Sequence, residues 1–177
     1  MPWSLPITRV TALLLGACTL DLTDPARTGL ATDRASYVAR YESGQGPYRQ
    51  FAFTVVARFT NHTAGTLYLG RCYPDSPHPI YGVELVDASR SSWGSAFGPA
   101  WACVGHDEQI AVAAGETRVD TLLLRGPNGW DGRTGEVFGA MDGAMRLVYH
   151  VQECRGDGAC PSARLDGRSN AFTVRVD

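Results

Sequence analysis

The side chains best suited to chemistry in this chain are its cysteines and histidines. Cys72, His78, Cys103 and His106 form two arms with the spacings C-x5-H and C-x2-H. Thiolate and imidazole are ligands that zinc prefers, so the four could make a Cys2His2 site. The same two cysteines could instead bond to each other. Cys154 and Cys160 form a second pair around the short loop Arg155-Gly156-Asp157-Gly158-Ala159. Four cysteines allow three connectivities. Nearest-neighbour pairing, Cys72–Cys103 and Cys154–Cys160, lets each bridge form without disturbing the other. The first would close a loop of about 30 residues, worth roughly 3–4 kcal/mol in the chain-entropy view. An oxidising compartment favours the bridges over the metal.

Other reactive groupings are weaker. His106-Asp107-Glu108 could bind metal or exchange protons, but consecutive strand residues point to opposite faces, so the triplet reads as a polar loop. No serine stands in a nucleophile elbow, and the four histidines follow no triad order. The chain therefore offers no catalytic set and no cofactor fingerprint. Asn61-His62-Thr63 matches a glycosylation acceptor and Arg155-Gly156-Asp157 matches an adhesion tripeptide, yet matches this short arise freely by chance. The sequence has 177 residues, a net charge of -2 and no lysine, and its arginines form no block. That distribution argues against electrostatic capture of nucleic acid.

Aromatic residues offer a different kind of site. Tyr73, Trp93, Phe97 and Trp101 crowd the segment between Cys72 and Cys103, among Pro74, Pro77, Pro79 and Pro99. They could present a rigid surface to an envelope protein or a glycan, since aromatics give large contact area at small entropic cost. Equally, they could plug the open end of a β-fold. Trp130, in Gly126-Pro127-Asn128-Gly129-Trp130-Asp131-Gly132-Arg133, reads as an exposed loop tip and as the best single contact residue.

The beginning of the chain supplies an address. Arg9 precedes the apolar run Val10-Thr11-Ala12-Leu13-Leu14-Leu15, which is far short of the ~20 residues needed to span a bilayer. Leu15-Gly16-Ala17-Cys18 resembles the lipobox of bacterial lipoproteins. The resemblance implies cleavage before Cys18, lipid on its thiol, and anchoring to a membrane. Residue Thr19, where these proteins often carry an aspartate for inner-membrane retention, implies the outer membrane, with the domain facing periplasm or cell surface. The expected organisation is a signal peptide over 1–17, a tether over 18–30 and one domain over 31–177.

Within that domain the clearest strand is Phe51 to Phe59, with Phe51, Phe53, Val55, Ala57 and Phe59 on one face at period two. Asn61-His62-Thr63-Ala64-Gly65 is a turn, and Thr66-Leu67-Tyr68-Leu69 is predicted to return as its hairpin partner. Further strands are predicted at Ile80–Val86, Gln109–Val112, Thr117–Leu124, Ala144–Val151 and Ala171–Val176, with a weaker one near Ala31–Ala39. No helical stripe stands out. Seven or eight strands with turns between them predict an all-β antiparallel sandwich.

The layout resembles immunoglobulin-like domains of bacterial lipoproteins. The matching stretches are Phe59-Thr60-Asn61, the Ala114-Gly115-Glu116-Thr117 turn, Gly143-Ala144-Met145-Arg146-Leu147 and Ser169-Asn170-Ala171-Phe172-Thr173-Val174. Met145 stands where such folds often carry a corner tyrosine. The leading expectation is a lipid-anchored envelope protein with a non-enzymatic binding or structural domain. A protease-inhibitor-like module, inserting the Cys72–Cys103 loop, and a zinc protein are the alternatives.

Overall fold

The computed structural model describes residues 29–72, 76–101, 103, 108–153 and 165–177. In chain order the strands are β1 (Leu30–Thr32), β2 (Ser36–Ser43), β3 (Gln50–Thr60), β4 (Leu67–Arg71), β5 (Tyr81–Leu85) and β6 (Gly98–Pro99). They continue with β7 (Glu108–Val112), β8 (Thr117–Gly126), β9 (Gly143–Glu153), β10 (Leu165–Arg168) and β11 (Phe172–Val176). Among the described residues the only helical pieces are two short 3-10 turns, Gly46–Tyr48 and Ala88–Arg90.

The fold is an all-β sandwich. One layer runs β6-β8-β3, with β1 and the end of β2 sharing the far edge of β3. The other is built on β9, flanked by β4 and β5 on one edge and by β10 and β11 on the other, with β7 beyond β4. Strand β2 belongs to both. Its start pairs parallel with β11 (Tyr37 with Val174) and its end pairs antiparallel with β3 (Arg40 with Ala52). The two layers are thus one curled sheet, and the expectation of a purely antiparallel sandwich is corrected at this strand. The weak early strand resolves into β1 and β2, and the short ladders β6 and β10 raise the strand count above eight.

The period-two reading of β3 corresponds to its burial. Phe53, Val55, Ala57 and Phe59 are buried and Phe51 is half-buried, whereas Thr54 and Arg58 face solvent. Leu122 and Leu124 of β8, Leu69 of β4, and Met145, Leu147 and Tyr149 of β9 complete the filling between the layers. Leu30, at the expected end of the tether, is already core at 1 % exposure. Just after β1, Asp33 continues the ladder: its N–H donates to the Val56 carbonyl (3.0 Å) and its Oδ1 accepts from Val56 N–H (2.9 Å) and the Tyr37 hydroxyl (2.7 Å).

The predicted hairpin between β3 and Thr66–Leu69 does not form. β3 pairs with β8 over ten residues, from Phe51–Gly126 to Thr60–Thr117, and β4 instead joins β7 and β9. Residues 61–66 carry the chain from one layer to the other. Residues 113–116 do the same between β7 and β8. Asn61 binds these two crossings together. Its N–H donates to Glu116 O (2.9 Å) and its carbonyl accepts from Gly115 N–H (2.8 Å). Its side-chain Nδ2 donates to Gly65 O (2.7 Å) and Val112 O (2.9 Å), while Oδ1 accepts from Thr63 N–H and Oγ. Asn61 is fully buried, so the amide that the glycosylation match would modify is already committed. Replacing Asn61 with Ala strands the Val112 carbonyl and the Thr63 N–H and leaves the Gly65 carbonyl only the Thr63 hydroxyl at 3.1 Å. The expected loss is about 2–4 kcal/mol of stability, read as a lower urea midpoint at unchanged slope.

Candidate functional site

Cys72 and Cys103 form a disulfide, with their Cα atoms 5.4 Å apart. The Cys2His2 zinc reading is corrected by this bond, because it removes both thiolates. His78 turns elsewhere: its Nδ1 lies 3.6 Å from Oδ1 of Asp120. Among the described residues no group of three or more His, Cys, Asp or Glu side chains is placed to hold a metal. Cys18, Tyr73, His106, Asp107, Cys154, Cys160 and Arg155-Gly156-Asp157 lie outside the described residues.

Sequence reasoning missed the buried polar centre near His78. Asp120 projects inward from β8 with 3 % exposure. Arg118 grips it with both arms, Nε to Oδ2 at 3.0 Å and Nη2 to Oδ1 at 2.6 Å, and also donates to the Pro77 carbonyl. From the opposite layer, the Tyr149 hydroxyl donates to Oδ2 at 3.2 Å. Burial, and then the negative charge of Asp120, push the Tyr149 phenol far above its usual range, so it stays a donor. Ser76 donates to the backbone carbonyl of His78 rather than to its ring. The carboxylate is thus saturated by structural partners, and the cluster ties β8, β9 and the segment around Pro77 together. The inward Asp in the otherwise alternating run Thr117-Arg118-Val119-Asp120-Thr121-Leu122 was the signal available in the sequence.

The aromatic candidates divide between two places. Trp93 sits in the turn Ser91–Gly94 and is the most exposed large apolar side chain among the described residues, at 69 %. Its ring stacks on Phe138, with centroids 4.9 Å apart and planes 24° from parallel. Phe138 packs over Gly129, where an added Cβ would come within 3.1 Å of the ring. Next in the chain, Trp130 meets Tyr48 edge-on at 5.8 Å. Two ring pairs, Tyr48–Trp130 and Phe138–Trp93, therefore make a broken row at one end of the sandwich, on opposite faces of the Trp130–Val137 bridge. The Gly94–Ala140 and Ala96–Ala140 backbone hydrogen bonds and the Arg90–Asp142 ion pair brace its Trp93 end.

Trp130 is not the exposed tip that the sequence suggested. Loop 127–141 folds back on itself through a Trp130–Val137 bridge, with Asp131 N–H donating to Glu136 O (2.8 Å) and Phe138 N–H to Gly129 O (3.0 Å). That fold moves the tip to residues 132–134 and leaves Trp130 half-buried. Trp101 is separate from the row. It is half-buried beside β6 and packs edge-on against Tyr81 at 5.9 Å. Phe97 is buried core, as the plug reading expects.

No protein-family model and no curated protein matches this chain. Among solved structures, a β-glucosidase from Erythrobacter marinus aligns with 83 % of this chain at 17 % identity and a TM-score of 0.31. This chain spans only 15 % of that enzyme's length. The CooA pilin subunit from enterotoxigenic Escherichia coli aligns with 84 % of this chain and 99 % of its own, at 11 % identity and a TM-score of 0.26. Likeness this low assigns no activity and no assembly to the chain.

Two outcomes follow from this geometry. Trp93→Ala is expected to cost under about 1 kcal/mol and Trp130→Ala about 2 kcal/mol, compared by chemical denaturation. Replacing both Cys72 and Cys103 with Ser is expected to lower stability by about 3 kcal/mol in the same measurement, given the 31-residue separation.

Proposed function

We propose that this chain is a lipid-anchored cell-envelope protein whose sandwich is a non-enzymatic binding domain, with the aromatic row as its contact surface. One observation carries the reading: the domain enters at one end and shows its aromatic rings at the other. Leu30 pairs with Phe59, and Phe51 pairs with Gly126, just before the loop that holds Trp130. The eight residue steps from Phe51 to Phe59 span roughly 27 Å at ~3.4 Å each. A membrane anchor at Cys18 would therefore leave the row facing away from the lipid. Trp93 supports the same reading, since a large exposed ring held rigid by a stacked neighbour is the type of residue that anchors interfaces.

The anchor is tested by intact mass of protein extracted from membranes, with thiol labelling before and after reduction. The expected species begins at Cys18, carries acyl chains and takes up label at four cysteines only once reduced. A mass without acyl chains, or a Cys18→Ser variant that still sediments with membranes, would refute the anchor.

A further inference from the structure

Beside the aromatic row, at the same end of the sandwich, is a second feature that the row does not use. Gln50 at the start of β3, Pro99 of β6, Ala100, Trp101, Arg125 of β8 and Asn128 line an open cleft of about 390 Å³. That volume lies in the range of small-molecule sites, about 300–1,000 Å³. We infer that this cleft is a subsite for an uncharged saccharide ring, an inference that deepens the distal binding reading above and rests on it.

The lining selects this chemistry by what it offers and by what it withholds. Trp101 gives an apolar aromatic wall. Its position is set by Tyr81, whose own hydroxyl is tied to the Leu123 carbonyl at 2.9 Å, so the wall is preorganised. Arg125 lines the cleft, but its charge is spent on Glu42. Nη2 lies 2.7 Å from Oε1, and Nε meets Oε2. The Arg125 guanidinium holds the Glu42 carboxyl below the ordinary carboxylate range, so the pair stays ionised and net neutral around pH 7. A phosphate or an acidic sugar would find no unpaired cation there.

Hydrogen-bonding capacity remains in both senses. The Arg125 Nη1 group is at 3.5 Å from the Ala100 carbonyl, a long contact that leaves room for a competing hydroxyl. The Gln50 amide accepts from Ser43 Oγ at 3.3 Å and keeps its donor side. Asn128 is structural: its amide donates to Arg125 O (3.2 Å) and accepts from Gly98 N–H (3.1 Å), closing the cleft floor. A Cβ on Gly98 would come within 2.6 Å of that amide and would push the Asn128 side chain aside. A purely apolar ligand would leave the donor side of the Gln50 amide unpaired, which is costly. A pyranose carries an apolar C–H face for the indole and uncharged hydroxyls that donate and accept.

The test titrates the full chain in detergent with maltotriose, cellotriose and chitotriose, and with trigalacturonate as the acidic counterpart, followed by calorimetry. The expected result is saturable binding of at least one neutral trimer, weakened about tenfold or more by Trp101→Ala and several-fold by Gln50→Ala. Gln50 is at the strand end with its side chain on the cleft, so that variant decides the matter if Trp101→Ala fails to fold. Binding that survives Gln50→Ala and Trp101→Ala but falls with Trp93→Ala would move the ligand to the aromatic row and overturn the cleft while sustaining the distal reading. Preference for trigalacturonate would overturn the neutrality argument. Absence of saturable binding by all three neutral trimers would overturn the saccharide inference and leave the anchored binding domain to be judged by its own mass measurement.

Discussion

The sandwich depends on a constraint at one corner. At this corner two segments cross between the layers, from β3 to β4 and from β7 to β8, and both do so around the buried side chain of Asn61. A crossing exposes backbone N–H and C=O groups that no strand ladder satisfies, and burial makes each unsatisfied group expensive. Asn61 meets that demand from one residue. Its backbone joins the 113–116 crossing and its amide closes the 61–66 crossing, with bonds of 2.7–2.9 Å. The amide is both donor and acceptor in one planar group, which a hydroxyl or a carboxylate cannot match. With the crossings locked, β3 is free to pair with β8, and the core between the layers is enclosed.

Two further ties act at different depths. The Asp120 centre works inside the core, where a carboxylate survives only because Arg118 and Tyr149 satisfy it. It joins the two layers and reaches the Pro77 carbonyl through Arg118. The Cys72–Cys103 bridge works at the rim, joining the buried residue Cys72 to the exposed residue Cys103 across 31 residues of chain. These ties hold the segment around Pro77 against the sandwich and free the opposite end to carry loops with exposed rings. The division of labour explains why polar burial and aromatic exposure lie at different parts of one small domain. Loops can display contact groups only when a rigid scaffold positions them.

The two distal features differ in chemistry although they are neighbours. The two ring pairs, Tyr48–Trp130 and Phe138–Trp93, are dominated by ring surface and suit broad contact. The cleft by Trp101 mixes one ring with polar groups whose charges cancel. The Glu42–Arg125 pair is what separates them. Were Arg125 unpaired, the cleft would attract anions; paired, it presents directional hydrogen bonds without net charge.

By itself the sequence determined the class of fold and the strand that centres it. Alternation in Phe51–Phe59 is a local property, because side chains on a strand point to opposite faces whatever the partner. It also narrowed the cysteine pairings, since nearest-neighbour bridges form without disturbing each other, and the Cys72–Cys103 bond is the one expected. Partner choice was beyond it. A turn at Asn61–Gly65 is legible, but whether the chain returns along the same sheet or crosses to the other depends on a distant acceptor at Val112 and a distant donor at Gly115. The same holds for exposure: Trp130 looks like a loop tip until Val137 folds back over it, and Trp93 gains its stacked partner only through Phe138, forty-five positions along the chain. Sequence patterns report which face a side chain takes. Which surface covers that face is decided by contacts between residues far apart in the chain, and only the tertiary structure contains them.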